Sequence, residues 1–177
     1  IGNYSLILGL FFGLFLFYFS AINFRNSQVL DTKILSFTFL QFFFVIISFL
    51  CLVLSFVFSD FSNETVFNNS HTTKPLFYKI AGTWGNHEGS LLLWLFVLTL
   101  FILIFFLRSK DQPIKYKILT LIFQQIIIIG FFVFLIMTSN PFNYIYPTPE
   151  EGLGLNPILQ DPALAIHPPI LYLGYVG

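Results

Sequence analysis

Charge is what this chain has least of: only 9% of its 177 residues are Asp, Glu, Lys or Arg, where a soluble domain carries about 25%. Against so little charge stand 56% hydrophobic residues and 26 Phe. A water-soluble fold is excluded, because it would leave large apolar patches exposed. Eight basic and eight acidic residues balance to zero net charge. There is no basic stripe, so no nucleic-acid partner is expected. Cys51 is the lone cysteine; it can make neither an internal disulfide nor a CxxC redox pair, and inside an apolar run it reads as a small buried hydrophobe. The chain begins at Ile1 with no basic stretch before its first apolar run, so a cleavable secretory signal is not expected. Its end lies inside an apolar stretch. Both ends fit a fragment, a split gene product or an unusual start codon, and the excess of Phe and Ile fits an AT-rich organellar coding sequence.

What the chain has in abundance is uninterrupted apolar sequence. Residues 4–22, 34–58, 90–107 and 118–137 contain no charged side chain. As helices they reach roughly 28, 37, 27 and 30 Å at about 1.5 Å per residue, enough for about 30 Å of hydrocarbon. The runs stop at Arg25-Asn26-Ser27, Asp60, Arg108-Ser109-Lys110-Asp111 and Ser139-Asn140-Pro141. The predicted architecture is all-α and polytopic. Four transmembrane helices fill residues 1–137, and an ordered Pro-rich external loop over residues 138–177 leads into an apolar segment that can begin a fifth. Membrane lipids are the surrounding solvent.

Six of the eight basic residues, Arg25, Lys33, Arg108, Lys110, Lys115 and Lys117, lie in the two short loops. The positive-inside rule puts those loops on the matrix or cytoplasmic side. The N-terminus, the long second loop and the tail then face the intermembrane space or periplasm, taking all three histidines with them. Ion pumping is not expected, since it needs ionisable groups within the membrane. Gln41, Gln124 and Gln125 are the notable polar groups there, and interhelical hydrogen bonding is their expected role.

Two segments could carry chemistry. The first is Lys79-Ile80-Ala81-Gly82-Thr83-Trp84-Gly85-Asn86-His87-Glu88-Gly89-Ser90, running into the third span. A helix beginning near Thr83 would put Trp84, His87, Leu91 and Trp94 on one face, and Gly85 and Gly89 would let another backbone approach. His87 and Glu88 could equally do no more than hydrogen-bond at a wet helix end. They are not a zinc signature, since HExxH needs a second His where Leu91 stands. The second segment is the tail, where seven of the nine prolines lie between Pro141 and Pro169, so that a continuous helix is not expected. His167 precedes Pro168 and Pro169, which should push it out of helical conformation and hold its imidazole on a stiff backbone. Such rigidity suits a preorganised metal or haem ligand; it also suits any well-packed loop. Glu150, Glu151 and Asp161 read as solvated loop charges or local caps, and His71 as solvent-exposed.

The stretch from Trp84 to Trp94 resembles the W-G-x-H-E-G-S-L-L-L-W signature of the CcmF family. Asn156-Pro157-Ile158-Leu159-Gln160-Asp161-Pro162, followed by Ile166-His167-Pro168-Pro169-Ile170-Leu171-Tyr172-Leu173-Gly174-Tyr175-Val176-Gly177, resembles it too. The likeness covers residues 79–177 strongly and the rest mainly in topology. It implies a cytochrome c haem lyase component, in a mitochondrial or bacterial inner membrane, that holds haem b at the outer face for attachment to CxxCH cysteines of apocytochrome c. His167 corresponds to the first external haem-ligand histidine of the family, a possible axial ligand to the iron. Trp84, His87, Glu88, Pro168 and Pro169 would support the site. The family's tryptophan-rich segment and its second external histidine are not in this sequence, so the chain is not expected to be catalytically complete alone. The implied partners are a C-terminal haem-lyase portion carrying that segment, other cytochrome c maturation proteins and apocytochrome c. A second reading, without haem, is a structural or assembly subunit of an inner-membrane respiratory complex.

Overall fold

The computed structural model describes residues 1–26 and 32–177; the expected turn at Ser27 lies outside the described residues. Each apolar run is a helix that extends past the run at one or both ends: α1 (Gly2–Asn26), α2 (Thr32–Val57), α5 (His87–Arg108) and α6 (Ile114–Met137). All four are long and apolar enough to cross a membrane. Between α2 and α5 lie two short helices, α3 (Glu64–Asn69) and α4 (Leu76–Gly82). After α6 comes irregular chain, a 3-10 turn at Pro157–Gln160 and a seventh helix, α7 (Pro162–Val176). There is no strand among the described residues.

The four long helices form a ring in which α1 packs on α2 and α6, and α5 packs on α2 and α6. Their buried residues explain the arrangement. Helix α2 buries Ile34, Thr38, Gln41, Val45, Ser48, Leu52 and Phe56, while α6 buries Ile118, Leu121, Gln125, Ile128, Phe132 and Leu135. On α1 the matching stripe is Leu6, Gly9, Gly13, Leu16, Ser20 and Asn23. Alternating steps of three and four residues make a straight seam, as in left-handed bundles. In lipid such seams hold by close packing, since apolar side chains are as well solvated by acyl chains. Gly9 admits the Phe132 ring, 2.9 Å from where a Cβ would stand. Phe12 stacks on Phe44 at 5.4 Å, joining α1 to α2, and Phe49 stacks on Phe96 at 5.4 Å, joining α2 to α5. The outer faces carry exposed Phe11, Leu14, Phe43, Phe123 and Ile126, which suit a lipid environment. Cys51 is half-buried rather than fully buried.

The six clustered basic residues lie at one end of the ring, where Lys117 donates to the Lys110 carbonyl at 3.2 Å. At the other end α3, α4 and the tail form a cap. Glu64 N–H donates to the Asn143 carbonyl at 3.0 Å, Ile145 N–H to the Ser62 carbonyl at 2.9 Å, and Leu153 N–H to the Phe67 carbonyl at 2.8 Å. The tail is thus a packed loop up to its last helix.

Glu151 fastens that loop. It accepts from the Thr72 hydroxyl at 2.5 Å and the Thr72 N–H at 2.9 Å, and lies 3.8 Å from His71 Nδ1. It is therefore a solvent-exposed charge that also tethers the loop, and His71 is half-buried beside it, 2.9 Å from the Thr73 hydroxyl. The Thr72 hydroxyl first, and then the Thr72 N–H, hold its carboxyl down at about 2, from an ordinary 4.5. A lowered folded-state value stabilises above pH 4.5, and that contribution is lost as pH falls through about 2. Protection factors at Leu153 and Gly154, taken against the intrinsic exchange rate at each pH, should fall over that acid window in the wild type. In Glu151→Gln the protection factors should be lower already at neutral pH and show no such step. Matching acid profiles in the two proteins would show that the tether does not hold the tail.

Candidate functional site

The tryptophan-containing segment is a helix entry. Asn86 caps α5, its side-chain oxygen accepting from Gly89 N–H at 2.7 Å while its amide nitrogen donates to the Gly82 carbonyl at 2.7 Å. One side chain thereby joins the end of α4 to the start of α5. The Ser90 hydroxyl reaches back to the Trp84 carbonyl at 2.8 Å. A Cβ on Gly89 would collide with the Thr83 carbonyl, and Gly85 lies against Leu155 and Leu159. The close backbone approach expected at this pair is thus made by the chain's own turn, not by another helix. Helix α5 starts at His87 and not near Thr83. Trp84 therefore stands in the turn and does not share the face of His87, Leu91 and Trp94.

The largest correction concerns the tail. His167, Pro168 and Pro169 lie inside α7, not in extended chain. Asp161 caps that helix, accepting from Ala163 N–H at 2.8 Å and Leu164 N–H at 3.1 Å, and Pro162 takes the first turn, where no donor is needed. Pro169 lacks the N–H that would bond the carbonyl four residues back, that of Ala165. The Trp84 indole N–H fills the vacancy, donating to the Ala165 carbonyl at 2.7 Å. A neighbouring element re-satisfies the freed group, which is how prolines persist in membrane helices. The proline penalty is real, and a tertiary donor offsets it.

The same seam is closed by Tyr172, whose hydroxyl donates to Ser90 Oγ at 3.1 Å and whose ring stacks on Trp94 at 5.2 Å and 12°. Between α5 and α7 lies an open cleft of about 450 Å³, lined among others by Trp84, His87, Ser90, Leu159, Pro168 and Tyr172. His87 is exposed there; its Nδ1 is 3.3 Å from Ser139 Oγ and its ring meets Phe134 edge-on at 6.1 Å. Glu88 turns elsewhere, into a separate polar cavity of about 140 Å³ with Glu64, Asn68, Asn69, Asn140 and Asn143.

His167 lies apart from both. Ala165 is buried, and Pro168, Pro169, Tyr172 and Val176 are half-buried, which defines the face of α7 turned to the ring of helices. His167 lies on the opposite face by helical geometry. It is exposed, and its side chain makes no hydrogen bond among the described residues. The structure thus brings Trp84, His87, Pro168 and Pro169 to one seam and leaves His167 and Glu88 outside it. Among the described residues no three His, Cys, Asp or Glu side chains gather as a metal site. Ala165 and Tyr172 are the seam residues that sequence reading assigned no role. Pro169 was the signal for the first, since a helical proline implies an orphan carbonyl four residues earlier.

Comparison with known proteins agrees with these motifs. The family described as cytochrome C assembly protein matches residues 84–177. The chain is 52% identical over 133 residues to the cytochrome c-type biogenesis protein CycK of Rhizobium meliloti, covering 75% of this chain and 20% of that protein. With CycK of Bradyrhizobium diazoefficiens it shares 45% over 180 residues, 99% of this chain and 27% of the relative. With CcmF of Escherichia coli it shares 44% over 131 residues, 73% of this chain and 20% of the relative. A solved structure of the cytochrome c heme lyase CcmF superposes with a TM-score of 0.79 at 24% identity, over 99% of this chain and 28% of that one; at that identity it shows the shared fold. The chain spans about a fifth to a quarter of the length of these relatives. From the Trp84 turn to the last helix, in sequence and in fold, the chain belongs to the cytochrome C assembly protein family, with the CcmF and CycK proteins.

Proposed function

We propose that this chain is the haem-presenting portion of a cytochrome c haem lyase in an inner membrane, mitochondrial in a eukaryote. The observation that carries the reading is His167. Its imidazole is exposed on the free face of α7, a helix whose other face is pinned by the Trp84–Ala165 hydrogen bond and the Trp94–Tyr172 stack. An unpartnered imidazole on a fixed helix would suit the iron of a haem b, which His167 would help to hold. By the charge rule the basic end of the ring would face the matrix or cytoplasm and the start of α7, with His167, the outer side; from there α7 runs alongside α5, past Trp94, to Phe101. Bound haem supplies the vinyl groups to which apocytochrome CxxCH thiols are joined. The part of this chain is to bind and orient: His167 toward the iron, with Trp84, Pro168 and Pro169 holding the helix that carries it and His87 bordering the adjoining cleft.

The remaining ligand and the tryptophan-rich segment would come from a further stretch of chain or a partner polypeptide, working with other maturation proteins. Coexpression with such a tryptophan-rich portion should give a complex that purifies with haem and shows a Soret band. Purification at fixed stoichiometry with a respiratory complex, with no haem, would replace this reading with that of an assembly subunit.

A further inference from the structure

Several polar side chains inside the long helices bond to their own backbone, while the buried hydroxyls of Ser20 and Ser48 have no partner among the described residues. Thr38 donates to the Ile34 carbonyl at 2.8 Å and Thr99 to the Leu95 carbonyl at 3.0 Å. Two carboxamides do not follow that habit. Gln41 on α2 and Gln125 on α6 are both 0% exposed, and neither amide nitrogen nor oxygen of either has a hydrogen-bond partner among the described residues. The interhelical bonds expected of them are not made. They come from diagonally opposite helices and meet at the middle of the ring, over Gly13 of α1. Their Nε2 atoms lie 2.5 Å (Gln41) and 2.7 Å (Gln125) from the point where a Cβ on Gly13 would stand. Gly13 is itself buried, and any larger residue would occupy the space where the amides converge.

Two facing amide nitrogens are donor against donor and cannot bond. Turning one amide around would present an oxygen to the other's nitrogen, since the two ends are near-isosteric, and could make at most one bond between them. That still leaves a donor hydrogen and acceptor lone pairs unmet on both side chains. In the interior of a bilayer-spanning bundle neither bulk water nor lipid can satisfy them. Buried polar groups of this kind are met by ordered water, which makes about three bonds to otherwise unmet groups.

We propose that Gln41, Gln125 and the bare backbone of Gly13 form an internal binding site for water, one or two molecules bridging α2 to α6 in the middle of the membrane-spanning bundle. The site requires both amides at once, because a water held by one alone would keep unmet bonds of its own. It is independent of haem and of the outer surface.

Side-chain ¹⁵N-glutamine labelling of the whole chain in lipid nanodiscs, with water-to-amide magnetisation transfer, tests it. Gln41 and Gln125 NH₂ groups should each show a cross-peak to slowly exchanging water. The cross-peak of Gln125 should vanish in Gln41→Leu, and that of Gln41 in Gln125→Leu. If the leucine variants do not fold, Gly13→Ala serves instead: its methyl enters the point of convergence against the mobile ends of two side chains, and both cross-peaks should be lost. Absence of bound water in the wild type, or its persistence at either amide after these substitutions, would overturn the proposal.

Discussion

Replacing His167 with Ala in the haem-loaded complex should bleach or strongly weaken its Soret band, with haem retention falling roughly tenfold or more, as metal sites do when an interaction that fixes them is removed. The expectation is unusually clean because His167 does nothing visible for the fold. Its side chain is exposed and hydrogen-bonded to nothing among the described residues. Surface substitutions of that kind usually stay within about 0.5 kcal/mol, and alanine is the best helix former. Helix α7 should therefore survive, and circular dichroism of the variant should match the parent. A spectral loss then reports on ligation and not on unfolding. His87→Ala is the comparison: His87 touches Ser139 and Phe134 at the far side of the seam, and its loss should leave most of the Soret intensity. An unchanged spectrum in His167→Ala at full occupancy would remove His167 from the site.

The fold was readable to the extent that membrane physics is simple. Runs without charge must be helices, because lipid offers the backbone no partner, and that rule recovers all four long helices. It does not locate the seams. Gly9 and Gly13 look like unremarkable small residues in α1 until α6 and α2 are placed against them, and the same is true of Gln41 and Gln125. The tail departs from the proline expectation for a related reason. The proline rule counts what Pro168 and Pro169 take away from a helix, and it is correct about the missing N–H at position 169. What it cannot see is a donor 81 residues away in sequence, the Trp84 indole. The Trp84 and His167 segments were each visible as motifs, but their relation is tertiary: one motif repairs the helix on which the other sits. Glu151 is a similar case, since its partner Thr72 lies 79 residues away.

That repair has a measurable energy. Trp84→Phe keeps an aromatic ring in the seam and deletes only the N–H, leaving the Ala165 carbonyl without its donor. Orphaning a buried acceptor costs about 1–3 kcal/mol, and the cost should fall on α7 because Ala165 is 2% exposed and lies in its first half. Local opening of α7 should become roughly tenfold more frequent for each 1.4 kcal/mol, read as faster hydrogen exchange along α7, while α1, α2 and α6 stay unchanged. Pro169→Ala supplies the control. It restores a backbone N–H four residues after Ala165, so the carbonyl regains an intrahelical donor. In the double variant the tryptophan substitution should then cost much less than it does alone, a coupling of about 1 kcal/mol or more in the double-mutant cycle. Purely additive effects would mean that Trp84 packs against α7 without replacing the missing proline hydrogen bond. Coupling would make the orientation of His167 depend on a tryptophan at the entrance of α5, and haem retention in Trp84→Phe should then recover when Pro169→Ala is added.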